Sequence, residues 1–293
     1  MYKIERSFST CSIRKCFSTS IFQAFVILIF MCILYTLSLV SMRVGTGDVI
    51  TVGPYSDQFL IPDDQQLERL SDSQLVDIFT KYINSFQIMC RNHKRTGVIT
   101  DGGKEVCVDE IIRPRSPCLV YSFGSNNQFD FEDKVIKQFG CEVLTFDPTM
   151  ESLDKKDMRI PRGCKFYEKG LEGVNMPEKN LFTLGTILQE YGHSTRTLDL
   201  LKVDVEGSEW SAFEEMMTSG TLANVRQLLV EFHFDKEMRY EKIRQLRVFR
   251  KLYDYGFRSF SRERNLGGAK FFKDLGYAVV FNVEISMVNI RFL

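Results

Sequence analysis

The chain has 293 residues, 44% hydrophobic and 26% charged, which excludes a largely disordered protein. Its 38 basic and 38 acidic residues cancel, so no global field draws nucleic acid to it and no such partner is expected.

The first element in chain order is apolar. No charge occurs between Cys16 and Met42, and residues Ile21 to Val40 are almost wholly apolar. A helix needs about 20 such residues to cross the hydrocarbon core. Lys3, Arg6, Arg14 and Lys15 precede the run against a single acid, Glu5, whereas Asp48, Asp57, Asp63 and Asp64 follow Arg43. Basic flanks stay in the cytoplasm. The expected arrangement is a cytoplasmic tail over 1–20, a single transmembrane signal anchor over 21–42 and a stem over 43–63. The bulk would face the lumen of the Golgi or ER, or the outside, as in a single-pass type II membrane protein. A cleaved signal peptide is the alternative. Its apolar core normally runs roughly 7–15 residues and ends on small residues, and the exit Leu37 to Met42 has no clear small-x-small site.

Cysteine usage follows from that topology. Cys90, Cys107, Cys118, Cys141 and Cys164 would lie in an oxidising compartment, where disulfides persist. Five is odd, so one should be free. Cys141 and Cys164 each precede one of two strands expected to be neighbours, so a bridge between them is expected. No C-x-x-C pair exists, which argues against structural zinc.

Residues 64–117 read as an N-terminal helical extension. Leu75, Phe79, Tyr82, Ile83 and Phe86 recur at three- and four-residue spacing, with Ser71 as N-cap. Residues 92–117 look irregular, with Gly102-Gly103 and two prolines. From Cys118 onward, over 118–293, short apolar runs alternate with helices. Strands are expected at Leu119 to Phe123, Val143 to Phe146, Phe166 to Lys169, Leu198 to Val205, Val225 to Phe234, Phe257 to Phe260 and Tyr277 to Asn289. Helices are expected at Phe129 to Phe139, Leu181 to Tyr191, Ser208 to Thr218 and Lys236 to Tyr255. The last helix would bury Ile243, Leu246, Phe249 and Leu252, leaving Arg244, Arg247, Arg250 and Lys251 as a solvated face. This βα alternation implies an α/β fold, a doubly wound and mostly parallel sheet with ligands beyond the carboxyl ends of its strands.

Three clusters sit at those ends. Gly124, after the first strand, lets the backbone approach a nucleotide closely. Asp147 ends the second strand, 23 residues on, where an acid is placed to accept hydrogen bonds from both ribose hydroxyls. Together they favour an adenosine-containing cofactor. At the fourth strand, Asp204 and Glu206 can converge with Glu231 and His233 of the neighbouring strand. Such a group can bind a hard divalent cation or supply a base for a hydroxyl; whether a metal is used is unknown. Glu209 reads as a residue near a helix N-terminus.

The runs PCLVYSFGSNN, GCEVLTFDPT, LKVDVEGSEW and VEFHF resemble, in identity and order over about residues 90–290, the family of methyltransferase-like protein 24 and the wider FkbM-type methyltransferases. The resemblance implies a class I methyltransferase Rossmann-like fold that binds S-adenosyl-L-methionine. It puts Ser122, Gly124 and Asn126 in the first cofactor motif, Asp147 at the cofactor ribose and the Asp204–Glu209 segment at the active-site rim. Ser122 stands where FkbM-type enzymes commonly carry an acid, and Asn126 replaces the second motif glycine.

The expected activity is methyl transfer to an acceptor not named by the sequence, such as a hydroxyl of a glycan, with Asp204, Glu206 or His233 removing the proton. Two alternatives remain. A Golgi-type glycosyltransferase would use Asp204-Val205-Glu206 as a D-x-D-like motif, and a non-catalytic, membrane-tethered interaction domain would account for Ser122 and Asn126.

Overall fold

The computed structural model describes residues 61–99, 102–152, 157–234, 239–264, 269–272, 277–280 and 282–293. The tail, the apolar run 21–40 and the stem up to residue 60 lie outside these residues. Among the described residues no helix is long and apolar enough to cross a membrane.

Helices α1 (Asp64–Arg69) and α2 (Asp72–Ile83) each open with a capping box, Asp63 with Gln66 and Ser71 with Gln74. Leu75, Phe79, Tyr82 and Ile83 bury one stripe of α2. Phe86 does not join that stripe, because the helix ends first and its ring is 54% exposed. The segment expected to be irregular contains an antiparallel hairpin, β1 (His93–Thr96) against β2 (Lys104–Cys107). The glycines that suggested irregularity lie in its connection, where Gly97 and Gly102 have positive φ.

The chain continues through β3 (Leu119–Phe123), α3 (Asp130–Phe139), β4 (Glu142–Phe146) and β5 (Cys164–Tyr167). A short parallel pair follows, β6 (Gly170–Leu171) with β7 (Leu181–Phe182), then α4 (Leu184–Glu190). The helix expected over 181–191 is thus shorter, because residues 181–182 pair with β6 and Thr183 caps what remains. Next come β8 (Leu198–Val203), α5 (Glu209–Ser219), β9 (Val225–His233), α6 (Arg239–Tyr255), β10 (Phe257–Arg264), the hairpin β11 (Ala269–Phe272) with β12 (Tyr277–Val280), and β13 (Asn282–Asn289).

Seven strands form one sheet in the order β10-β13-β9-β8-β3-β4-β5. Strands β5, β4, β3, β8 and β9 run parallel, and β13 is antiparallel to both of its neighbours. This is the class I arrangement that the resemblance implies. Its switch in strand order falls between β3 and β8, and there the exits of two adjacent strands leave in opposite directions and open a crevice.

Alternation within β3 builds the two faces of the sheet. Leu119, Tyr121 and Phe123 join an aromatic-rich core with Phe79, Trp210, Phe232 and Phe249. Val120 joins a second core with Phe131, Val135, Val143, Leu200 and Val106 of the hairpin. Ser122 shares the parity of Val120 and is fully buried. The basic side of α6 is not simply solvated. Arg247 pairs with Glu68, Arg250 with Asp64 and Arg244 with Glu214, which ties α6 to α1 and α5.

Strand register decides the disulfides. Leu119 lies opposite Glu142, so the preceding Cys118 and Cys141 meet with Cα atoms 4.6 Å apart and are bridged. The bridge expected between Cys141 and Cys164 does not form, because Cys164 lies opposite Val143, two residues further along. Cys164 is free, and Cys90 pairs with Cys107. Loops of 17 and 23 residues are closed, each worth about 3 kcal/mol in chain entropy. Thermal melts with and without reductant should therefore show a large loss of melting temperature on reduction. Cys164→Ser should leave that loss intact, whereas Cys118→Ser with Cys141→Ser should remove about half of it.

Candidate functional site

The crevice is built on one close approach. Gly124 leaves β3 with φ +81°, and a Cβ there would sit 1.8 Å from the carbonyl oxygen of Asp204, at the exit of β8. Only glycine fits between the two strand exits. Its amide donates to the Phe146 carbonyl at 2.9 Å, and its carbonyl accepts from Lys202 Nζ at 2.5 Å. Asn126 and Asn127 then turn in the left-handed region, with φ 42° and 57°, which asparagine tolerates better than most residues.

Asp147 holds that turn. Its Oδ2 accepts from the amides of Ser125 and Asn126, both at 2.8 Å, and Oδ1 accepts from the Thr149 amide at 2.9 Å and hydroxyl at 2.6 Å. Burial alone would raise this carboxyl, but those four hydrogen bonds outweigh it and hold the group below the usual carboxylate range. Below the turn, Ser122 does not reach the cavity wall. It donates to Glu132 Oε1 at 2.5 Å, and both residues are fully buried. An acid from α3 thus stands beside the serine. Burial pushes the Glu132 carboxyl up.

The acidic end begins where β8 stops. Asp204 donates its amide to the Phe123 carbonyl at 3.1 Å, and the chain then turns through Glu206 at φ 53° and Gly207 at φ 108°. A non-glycine residue at positive φ costs about 1 kcal/mol or more. Glu209, fully buried at the start of α5, stabilises the turn by accepting the Val205 amide at 3.1 Å and the Gly207 amide at 2.9 Å. The same carboxylate lies 2.8 Å from His233 Nδ1, while His233 Nε2 is 3.3 Å from Glu206 Oε2. Burial pulls the imidazole pKa down. The Glu209 hydrogen bond, and the charges of Glu209, Glu206 and Glu231, outweigh burial and hold it at about 9.

A cavity of about 490 Å³ joins the two ends. Of the residues expected from sequence, Gly124, Asn126, Asp147, Asp204, Glu206, Glu231 and His233 line it, and Ser122 does not. Donor atoms of Asp204, Glu206 and His233 lie within 4.8 Å of one another, compact enough for a cation. Beside Lys202, 4.0 Å from Asp204 Oδ2, two further protein cations serve these acids. One is His233, and the other is Lys104, whose Nζ is 3.6 Å from Asp204 Oδ2. Lys104 was not legible as a site residue, since it lies in the segment read as irregular. Lys202 was visible in the strand, but only the strand register with Ser122 shows it lying beneath the glycine turn.

A family model described as a methyltransferase domain matches residues 68–278. Similar curated proteins include probable methyltransferase-like protein 24 of Homo sapiens, 28% identical over 177 residues, and that of Rattus norvegicus, 30% identical over 178. Each match covers 53% of this chain and 46% of the relative, so the aligned region is about half the length of either. Among solved structures, the Aeropyrum pernix fibrillarin in complex with S-adenosyl-L-methionine is 11% identical, with 62% of this chain and 70% of that chain covered and a TM-score of 0.35.

The charge on His233 is directly measurable. Its proton NMR titration should have a midpoint near 9, and Glu209→Gln should move the midpoint down towards the ordinary value of about 6.5. Because the folded-state pKa is raised, the stability this cation contributes is complete below about pH 6.5 and is lost as pH rises through about 9. A wild-type midpoint at or below the ordinary value would contradict the assignment.

Proposed function

The chain belongs to the methyltransferase-domain family whose model spans residues 68–278, and from that premise we propose that it transfers a methyl group from S-adenosyl-L-methionine to a hydroxyl of a lumenal or extracellular acceptor such as a glycan. The observation that carries the reading is the joining of two features in one cavity. The Gly124 turn is pinned to Asp147, and it opens onto the carboxylates and imidazole at the tips of β8 and β9.

The residues fit the cofactor. Gly124 lets the exits of β3 and β8 close against each other, its turn with the left-handed Asn126 lines the cavity beyond them, and the cavity volume of about 490 Å³ lies in the range of small-molecule sites. Gly124, Asn126 and Asp147 would hold the adenosyl end. Asp204, Glu206 and Glu231 suit a cationic centre beside the acceptor. The bound cofactor supplies a methyl group already activated on a sulfonium sulfur.

The chain's own contribution is orientation and proton removal. Glu209 fixes the Nδ1 side of His233 and leaves Nε2 facing Glu206 and the cavity. His233 is an imidazolium below about pH 9. It therefore takes the proton of the acceptor hydroxyl at Nε2 only in the neutral form reached as pH rises towards that value, with Glu209 stabilising the imidazolium that results, and the transfer rate should climb with pH up to about 9. Asp204 and Glu206 accept hydrogen bonds from neighbouring hydroxyls of a polyol and orient it. Two disulfides suit an oxidising compartment, which supports reading residues 21–42 as a membrane anchor with this domain in the lumen.

Calorimetry of the full chain in detergent tests the reading. S-adenosylhomocysteine should bind one equivalent, nucleotide-sugars should give no heat, and Asp147→Ala should weaken binding by at least about tenfold. Melting curves on the same samples separate loss of the site from loss of the fold. No heat with S-adenosylhomocysteine, or heat with a nucleotide-sugar instead, contradicts the proposal.

A further inference from the structure

The N-terminal hairpin reaches the acidic end of the cavity. Lys104 of β2 is 1% exposed, and its Nζ lies 2.9 Å from Glu284 Oε1, 3.6 Å from Asp204 Oδ2 and 3.6 Å from Glu231 Oε2. The three acids come from β13, from the exit of β8 and from β9, which are adjacent in the sheet. Arg95 of β1 also donates to Glu284, at 3.1 Å. Thus two cations of one hairpin meet the acids of three neighbouring strands.

The hairpin is fixed where this requires it. The Cys107 amide donates to Gln227 Oε1 at 2.9 Å, and Gln227 Nε2 returns a bond to the Cys107 carbonyl at 2.9 Å. The Cys90–Cys107 bridge closes the other side. An ammonium group this deeply buried persists only where opposite charge surrounds it. Burial lowers the Lys104 pKa, but Asp204, Glu284 and Glu231 outweigh burial and raise it.

We propose that Lys104 is the resident cation of the acceptor end, occupying the position among Asp204, Glu231 and Glu284 that a hard divalent ion would otherwise take. Glu284 is at hydrogen-bond distance from the ammonium, and Asp204 and Glu231 are at ion-pair distance. Oxygen ligands approach calcium to about 2.3–2.6 Å and magnesium to about 2.0–2.1 Å, whereas two of these oxygens stand 3.6 Å from the nitrogen. Lys104 acts as a positioning residue. It pairs with Asp204 at the cavity without a metal, and it makes the hairpin a wall of the site. The inference rests on the methyltransferase reading only for its catalytic consequence.

Manganese binding, followed by electron paramagnetic resonance and calorimetry on the full chain in detergent, tests it. The wild type and Lys104→Arg should bind no manganese with a Kd below about 100 µM that Glu284→Gln abolishes. Lys104→Met, which leaves the three carboxylates without their ammonium, should gain one manganese site at least about tenfold tighter than any in the wild type. A tight wild-type site lost in Glu284→Gln overturns the proposal, as does a folded Lys104→Met that gains no affinity. If Lys104→Met fails to fold, the wild-type and Lys104→Arg titrations still decide. Binding of S-adenosylhomocysteine to the same samples is scored separately. Its absence would sink the methyltransferase reading without touching the assignment of Lys104.

Discussion

The carboxylate of Asp147, accepting the backbone amides of Ser125 and Asn126, sets the shape of the whole cavity. A parallel sheet delivers β3 and β8 side by side, and their exits diverge only if the first residue beyond β3 has no side chain. Gly124 meets that demand against the Asp204 carbonyl. A turn that contains a glycine and two left-handed asparagines has little intrinsic preference for one conformation. The two amides on Oδ2 and the Thr149 donors on Oδ1 choose that conformation and couple it to the end of β4. Lys202, reaching the Gly124 carbonyl from β8, completes the restraint from below.

Charge organises the other end. Asp204, Glu206, Glu209, Glu231 and Glu284 gather near the tips of three strands, with Glu209, Glu231 and Glu284 buried and Glu206 exposed at the rim, and burying carboxylates without opposite charge is costly. Partners reach them from distant parts of the chain. His233 lies between Glu206 and Glu209, and Lys104 lies among Asp204, Glu231 and Glu284. The strained turn at Glu206 is held by Glu209, the same group that orients His233. One buried carboxylate therefore links backbone geometry to the ionisation of the imidazole, and a change at either is felt at the other.

How legible these features were in the sequence depends on how local their causes are. Leu119 to Phe123, Leu198 to Val203 and Val225 to His233 were readable because fully buried parallel strands are short unbroken apolar runs bounded by turn residues. Asp147, Asp204 and Glu206 were readable because they follow such runs directly. Lys104 was hidden, because a hairpin of two four-residue strands has weak periodicity and its docking on the sheet is wholly tertiary. The Cys118–Cys141 bridge was missed for a related reason, since a shift of two residues in the β4–β5 register decides which cysteines meet. Glu132 gave no signal either. An acid in the first turn of a helix reads as dipole pairing, and only the fold shows its side chain turned inward to Ser122.

The most direct test of the central claim is a crystal structure of the protein grown with S-adenosylhomocysteine. The adenosyl group should lie between the Gly124–Asn126 turn and the Phe146–Thr149 exit of β4, with its sulfur directed towards Asp204 and His233. An adenosyl group bound elsewhere, or a turn released from Asp147 with the cavity filled by protein side chains, would contradict the account.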